Sequence, residues 1–296
     1  PVQNNLFVLS VKDRIKIIKS FIQKDYKYKN INLENYEEWL KFQYGDYFAE
    51  NFPMKYTRKY WTLPATELTT SWVGDRMHKT TIDEILFGAM CEHTNHSYYA
   101  SEMRYPKKDG YKSFFKLITD NCNVKYNHEV MEIDSSKKEI MFRNGYKTNY
   151  DILISSLPLP EIIKIIKDVP LKIKEASEKL LVTSVHLISI GFNRPDIAKY
   201  LWFYIYDEDI LPARCYSPNL KSLDNVPKGC SSLQFEVYSS KYKPLKMNGD
   251  NLLNHVIEKG QKMGLFEIND IEITDYRKVE YGNVIFNRNI EKNRKV

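Results

Sequence analysis

The sequence predicts a mixed α+β fold, and three stretches of its pattern predict it. The first hundred residues carry apolar positions at helical spacing, a middle segment has short alternating runs separated by turn residues, and the last hundred has longer strand-like runs interrupted by one amphipathic helix. Ser10-Val-Lys-Asp13 has capping-box spacing, with Asp in place of the usual Glu, and Val11, Ile15, Ile18 and Ile22 then recur at helical period, so a helix is predicted to about Lys24. A second is expected from near Asn35, carrying Trp39, Leu40 and Tyr47 and stopped by Pro53, and residues from Ile82 to Ala100 allow a third.

The pattern changes after Arg104-Tyr-Pro106. Asp109-Gly110 marks a turn, Tyr111 to Thr119 a short helix, and Asn123–Tyr126, Glu129–Ile133 and Glu139–Arg143 short strands before the Asn144-Gly145 turn. Asp151-Ile-Leu-Ile-Ser-Ser156 is an apolar run typical of a strand buried on both faces, followed by Pro158 and a helix through Ile166. Strands are expected again at Val182–Phe192, Leu201–Tyr206, Ser231–Tyr238 (Leu233, Phe235 and Val237 on one face) and Ile271–Val279, with a helix from about Asp250 to Met263. Strands joined by turns in this way suggest an antiparallel sheet. There is no internal repeat and no low-complexity segment.

Composition narrows the function classes. The chain has 296 residues, 43% hydrophobic and 28% charged, which is ordinary for a globular protein, and no apolar run approaches the ~18–20 residues that cross a bilayer. The net charge of +6 comes from 44 basic residues scattered among 38 acidic ones, which argues against a nucleic-acid surface. Cys91, Cys122, Cys215 and Cys230 are widely spaced, as free thiols in a reducing cytoplasm would be. The start, Pro1-Val-Gln-Asn-Asn, has neither an initiating methionine nor a signal-peptide pattern, so the chain is expected to be part of something longer.

Two arginines set among aromatic residues are the strongest chemical signal. Arg76 follows Trp61-Thr-Leu-Pro and Trp72-Val-Gly-Asp, and Arg214 lies ten residues after Tyr204 in Trp202-Phe-Tyr-Ile-Tyr-Asp-Glu-Asp-Ile-Leu-Pro-Ala-Arg214. A planar guanidinium makes two-pronged, charge-assisted hydrogen bonds to a diphosphate and lies flat on aromatic rings, which lysine cannot do. The ordinary alternative for each is an exposed arginine or one paired with a carboxylate.

Both stretches resemble UDP-galactopyranose mutases, flavin-dependent enzymes that interconvert the pyranose and furanose forms of a nucleotide-linked sugar, and the eukaryotic-type members most. The resemblance, which extends to the related flavin amine oxidases, runs from about Gln3 to about residue 282. It implies that Arg76 and Arg214 neutralise the substrate diphosphate and that Tyr204 hydrogen-bonds it. It also implies that Gln3 lies beside the uridine, that Trp61 walls the sugar-nucleotide pocket, and that UDP-galactose or a similar nucleotide sugar is the ligand. Ser184-Val-His-Leu-Ile-Ser-Ile-Gly191, upstream of Tyr204, resembles the family's strand there. The implied organisation is a mainly helical substrate-domain portion at 1–103, part of an FAD-domain sheet with a β-meander at 104–168, and the antiparallel sheet of the substrate domain at 169–296.

A complete flavin protein carries Gly-x-Gly-x-x-Gly between its first strand and helix, and none of the 11 glycines here makes that pattern or a phosphate loop. The resemblance places that segment before the counterpart of Pro1 and a further flavin-contacting segment after Val296. FAD is therefore expected in the longer protein and not on this chain, and the catalytic nucleophile would be the flavin. The sequence also departs from the mutases: Asn283 stands where they have a tyrosine in His-Gly-Tyr-Pro, and Tyr105-Pro106-Lys-Lys-Asp109-Gly110 replaces their double glycine. An amine-oxidase-like flavoprotein and a non-catalytic module of polysaccharide synthesis stay open as alternatives. Cys91-Glu-His93-Thr-Asn-His96 has metal-ligand residue types without a partner cluster, no Gly-x-Ser-x-Gly elbow is present, and His186 in its apolar strand reads as a core histidine.

Overall fold

Ser10 opens helix α1 (Val11–Lys27), accepting the Asp13 N–H at 3.2 Å and donating to the Asp13 carboxylate at 2.6 Å. Such a cap contributes about 1 kcal/mol. The helix forms as expected but turns a different face inward: its buried residues are Ile17 and Phe21, and Val11, Ile15 and Ile22 of the expected stripe stay exposed. In this computed structural model, which describes residues 2–29, 31–74, 77–92 and 102–296, the expected second helix is three: α2 (Tyr36–Tyr44), α3 (Asp46–Asn51) and α4 (Pro53–Tyr60). Asn35 caps the first of them. Gly45, at φ +77°, turns the chain between α2 and α3. Pro53 starts α4 instead of stopping a helix, because its fixed φ and missing N–H suit a first helical position. Helix α5 (Ile82–Met90) begins at a reciprocal capping box between Thr81 and Glu84. It gives way to extended backbone at Cys91, and residues 93–101 lie outside the described ones.

The chain divides into two compact units, Tyr111–Val182 with Asn289–Val296, and Pro1–Gly110 with Thr183–Arg288. In the smaller unit, a 3-10 turn leads into α6 (Lys116–Thr119), and β1 (Val130–Asp134), β2 (Glu139–Phe142) and β3 (Lys147–Asn149) make an antiparallel meander in that order. Helices α7 (Leu159–Ile165) and α8 (Leu171–Glu178) follow. Two strand expectations fail. Asn123–Tyr126 forms no strand, since turns on both sides, with Asn127 at positive φ, leave it no ladder. Asp151–Ser156 forms none either: Ile152 and Ile154 are 83% and 91% exposed. A strand buried on both faces needs paired neighbours, and none among the described residues pairs with this run.

The larger unit is built on a five-stranded sheet of β4 (Leu181–Phe192), β5 (Trp202–Tyr204), β6 (Arg214–Tyr216), β7 (Ser231–Ser239) and β8 (Ile271–Ile285), in the order β5-β6-β7-β4-β8. The β5/β6, β6/β7 and β7/β4 pairs are antiparallel. Short β6 had no pattern of its own, and β8 continues six residues beyond the expected Val279. Helix α9 (Pro218–Lys221) follows β6, α10 (Gly249–Lys262) follows β7, and α11 (Ile290–Arg294) ends the chain against α8 in the smaller unit. One sheet face packs Ile188, Ile190, Cys215, Leu233, Phe235 and Val237 against Leu252 and Val256 of α10. Each such aliphatic or aromatic side chain contributes about 1.5–3 kcal/mol by leaving water. His186 sits on this face with one ring nitrogen 2.8 Å from the Tyr276 hydroxyl and the other 2.8 Å from Ser239 Oγ, so it is a satisfied core histidine. No described helix is long and apolar enough to cross a membrane.

Candidate functional site

Strand alternation sends Tyr204, Arg214, Gln234, Glu236 and Tyr238 to the face opposite the core, and the register sets Tyr204 opposite Arg214 and Arg214 opposite Glu236. Arg214 donates from Nε to Glu236 Oε2 at 2.9 Å and from Nη2 to Oε1 at 2.8 Å. The Tyr238 hydroxyl donates to the same Oε2 at 2.5 Å. Glu236 is only 6% exposed, so its charge depends on these three donors. Burial opposes the charge on Arg214, but the Glu236 carboxylate overrides it and keeps the guanidinium protonated beyond its usual range. Burial first, and the Glu236 charge next, hold the Tyr238 phenol neutral far above its usual range. The carboxylate occupies the Nε/Nη2 side of the guanidinium. Its end, Nη1 with the second hydrogen of Nη2, makes no hydrogen bond among the described residues and is the geometry that receives a phosphate.

Helix α4 covers this row with tyrosines one turn apart. Tyr56 and Tyr60 stack at 5.3 Å, Tyr56 meets the Tyr204 ring edge-on at 5.0 Å, and Tyr60 lies 4.6 Å from the Tyr238 ring. The Tyr60 hydroxyl donates to Asn283 Oδ1 at 3.2 Å, so a phenol from α4 reaches the position where the sequence lacks the expected tyrosine. Trp61, just past the helix, packs on Trp72 at 5.1 Å and edge-on to Phe286 at 6.1 Å. These rings form an aromatic wall beside the Arg214 row.

Lys59 ties the helix to the β5–β6 connection. It is 3% exposed, and its ammonium donates to the carbonyls of Ile205 at 2.6 Å and Asp207 at 2.9 Å. Burial, then repulsion from Lys243, pushes its pKa down to about 7. Because the unfolded lysine titrates near 10.5, the unfolded state binds more protons between those values, and stability should rise with pH across that window by up to about 1.4 kcal/mol per unit. A neutral amine still donates both hydrogen bonds. Urea unfolding of the native chain and Lys59→Met at pH 7 and pH 9 checks this: the native chain should gain more stability than the variant, and equal gains would remove Lys59 as the cause.

Gln3 is half-buried in a 3-10 turn, Val2–Asn4, clamped against α5 where the Asn4 carbonyl meets Gly88 and Thr80 donates to the Asn4 side chain at 3.1 Å. Arg76 lies outside the described residues, as do His93 and His96 of the metal-like cluster. Thus Tyr204 and Arg214 are adjacent across one strand pair, Trp61 belongs to the aromatic wall, and Gln3 is held on a separate element. Glu236, Tyr238, Tyr56 and Tyr60 were not anticipated. For Glu236 and Tyr238 the available signal was alternation in β7, which sends Gln234, Glu236 and Tyr238 away from Leu233, Phe235 and Val237, and for Tyr56 and Tyr60 it was their spacing of one helical turn. Next to this row a cleft of about 470 Å³ is lined by Tyr105, Ser189, Tyr216, Lys221 and Gln234, with Glu272 and Asp275 from β8.

The described residues make no dinucleotide cradle. No strand enters a helix through a tight glycine turn, and at Gly249, which begins α10, a Cβ would meet the Tyr276 ring at 2.7 Å.

No family model matches the sequence. Among solved structures, reduced UDP-galactopyranose mutase superposes over 100% of this chain with a TM-score of 0.89 at 22% identity. A candidate protoporphyrinogen oxidase from Exiguobacterium sp. 255-15 matches over 97% of the chain with a TM-score of 0.67 at 11% identity. A putrescine oxidase variant redesigned in its cofactor binding matches over 97% with a TM-score of 0.55 at 9% identity. The chain spans 65%, 65% and 68% of those three proteins, respectively. It has the fold that they share.

Proposed function

We propose that this chain is the substrate-binding portion of a UDP-galactopyranose mutase-like protein of sugar-nucleotide and polysaccharide biosynthesis, which takes a nucleotide sugar while a longer chain holds FAD. The observation that carries the reading is the Tyr204–Arg214–Glu236 row beneath α4, with one guanidinium fork fixed by a buried carboxylate and the other without a hydrogen bond among the described residues. Tyr204 and Arg214 are the residues that the resemblance assigns to the diphosphate. The fold shared with the reduced mutase supports the reading.

In this scheme Arg214 neutralises diphosphate charge together with Arg76, Tyr204 orients the ligand, Trp61 walls its pocket, and Gln3 meets the uridine. The aromatic cover excludes water and so strengthens each polar contact. Tyr60 beside Asn283 makes the sugar end differ from a mutase with tyrosine there, which sets which sugar is accepted. The free thiols of Cys91, Cys122, Cys215 and Cys230 fit a reducing cytoplasm.

Titration calorimetry with UDP tests the pocket. Arg214→Ala should weaken binding roughly 30-fold, about 2 kcal/mol, through loss of a charge-assisted contact, and unchanged affinity would remove Arg214 from the site. With the longer protein and reduced FAD, UDP-galactofuranose should give UDP-galactopyranose with no reductant consumed per turnover. Stoichiometric flavin reduction by an amine, with no ring isomerisation, would assign the oxidase activity instead.

A further inference from the structure

Lys221 ends α9 on the same side of the sheet as Arg214 and lines the cleft. Its ammonium stands 4.1 Å over the Tyr216 ring and 6.0 Å from the centre of the Tyr105 ring. Tyr216 itself is immobilised by a hydrogen bond from its hydroxyl to Gln234, whose amide donates to Ser189 Oγ at 2.7 Å. The lysine makes no ion pair among the described residues. Burial and the Arg214 charge both work against its protonation, and Glu236, a carboxylate that favours it, is already held by Arg214 and Tyr238. Lys221 and Arg214 thus share this half-buried face with Glu236, a carboxylate that Arg214 and Tyr238 already engage. Glu272 and Asp275 of β8 also line the cleft, and Asp275 is paired with Arg277 at 2.8 Å.

We propose that Lys221 and the open fork of Arg214 form one anion-binding subsite at the Tyr216 end of this face, and that it takes a phosphate group. Aromatic rings over an ammonium hold the charge in place without neutralising it, which leaves it for the ligand. In the nucleotide-sugar reading this phosphate belongs to the diphosphate, but the subsite itself requires only phosphate chemistry.

The experiment titrates the native chain, Lys221→Met and Lys221→Arg with UDP and with inorganic pyrophosphate at low salt. Lys221→Met should bind both at least tenfold more weakly, and Lys221→Arg, which keeps the charge, should stay near the native affinity. Acetic anhydride labelling of the native chain, read by mass spectrometry, should show Lys221 protected by pyrophosphate, a readout that needs no variant to fold. Pyrophosphate binding that depends on Lys221 with no binding of UDP supports the subsite and removes the nucleotide-sugar reading. Equal affinities in the native and Met forms, unprotected Lys221, or no binding of either anion by the native chain overturns the subsite.

Discussion

Glu236→Leu should lower the unfolding free energy by about 3 kcal/mol, while Arg214→Met/Glu236→Leu should recover most of that loss. The single change strands a guanidinium that burial already opposes and removes the acceptor of the Tyr238 hydroxyl. Breaking a buried pair by removing one partner costs about 3–5 kcal/mol, whereas replacing both partners by apolar groups is often neutral. Arg214 keeps 33% of its side-chain surface open, so water takes up part of the charge and the effect falls at the low end of that range. Urea unfolding of the native chain and the two variants is the measurement. A double variant no more stable than the single one would mean that Glu236 contributes through packing and not through charge.

Gly45→Ala should be at least as damaging, at about 3–5 kcal/mol. Its backbone, at φ +77° and ψ 156°, lies in a region that essentially only glycine enters, which costs a residue bearing a Cβ about 1–3 kcal/mol. The new Cβ would also stand 2.7 Å from the Ser20 carbonyl carbon and oxygen of α1, backbone atoms that cannot rotate away. The contact between α1 and the α2–α3 turn must then open, and overpacking of this kind costs a further ~1–3 kcal/mol. Thermal unfolding reads the loss. A midpoint within a degree or two of the native chain would show that the turn relaxes without strain.

The same turn shows where local pattern stops short. Asn35 and Pro53 were visible as punctuation, but a continuous helical period ran across Gly45, and whether a glycine interrupts a helix depends on what packs against it. Here α1 crosses so closely that only a residue without a Cβ fits. The opposite failure occurs at Asp151–Ser156, where hydrophobicity announced a buried strand that finds no pairing among the described residues.

The sequence by itself determined the mixed α+β class, the cap at Ser10, the alternation of β4 and β7, the amphipathic α10 and the aromatic setting of Arg214. All of these depend on residues within a few positions of one another, where backbone geometry alone relates side chains. Only the tertiary structure decided that the helices before Gly110 and the strands after Val182 make one unit, and that Arg214 meets Glu236. It likewise decided that Tyr56 and Tyr60 roof that pair and that Lys221 makes no ion pair among the described residues and stands over the Tyr216 ring. Those relations are set by strand register and helix placement across 20 to 220 residues of chain, and a one-residue slip of β6 would send Arg214 to the other face of the sheet.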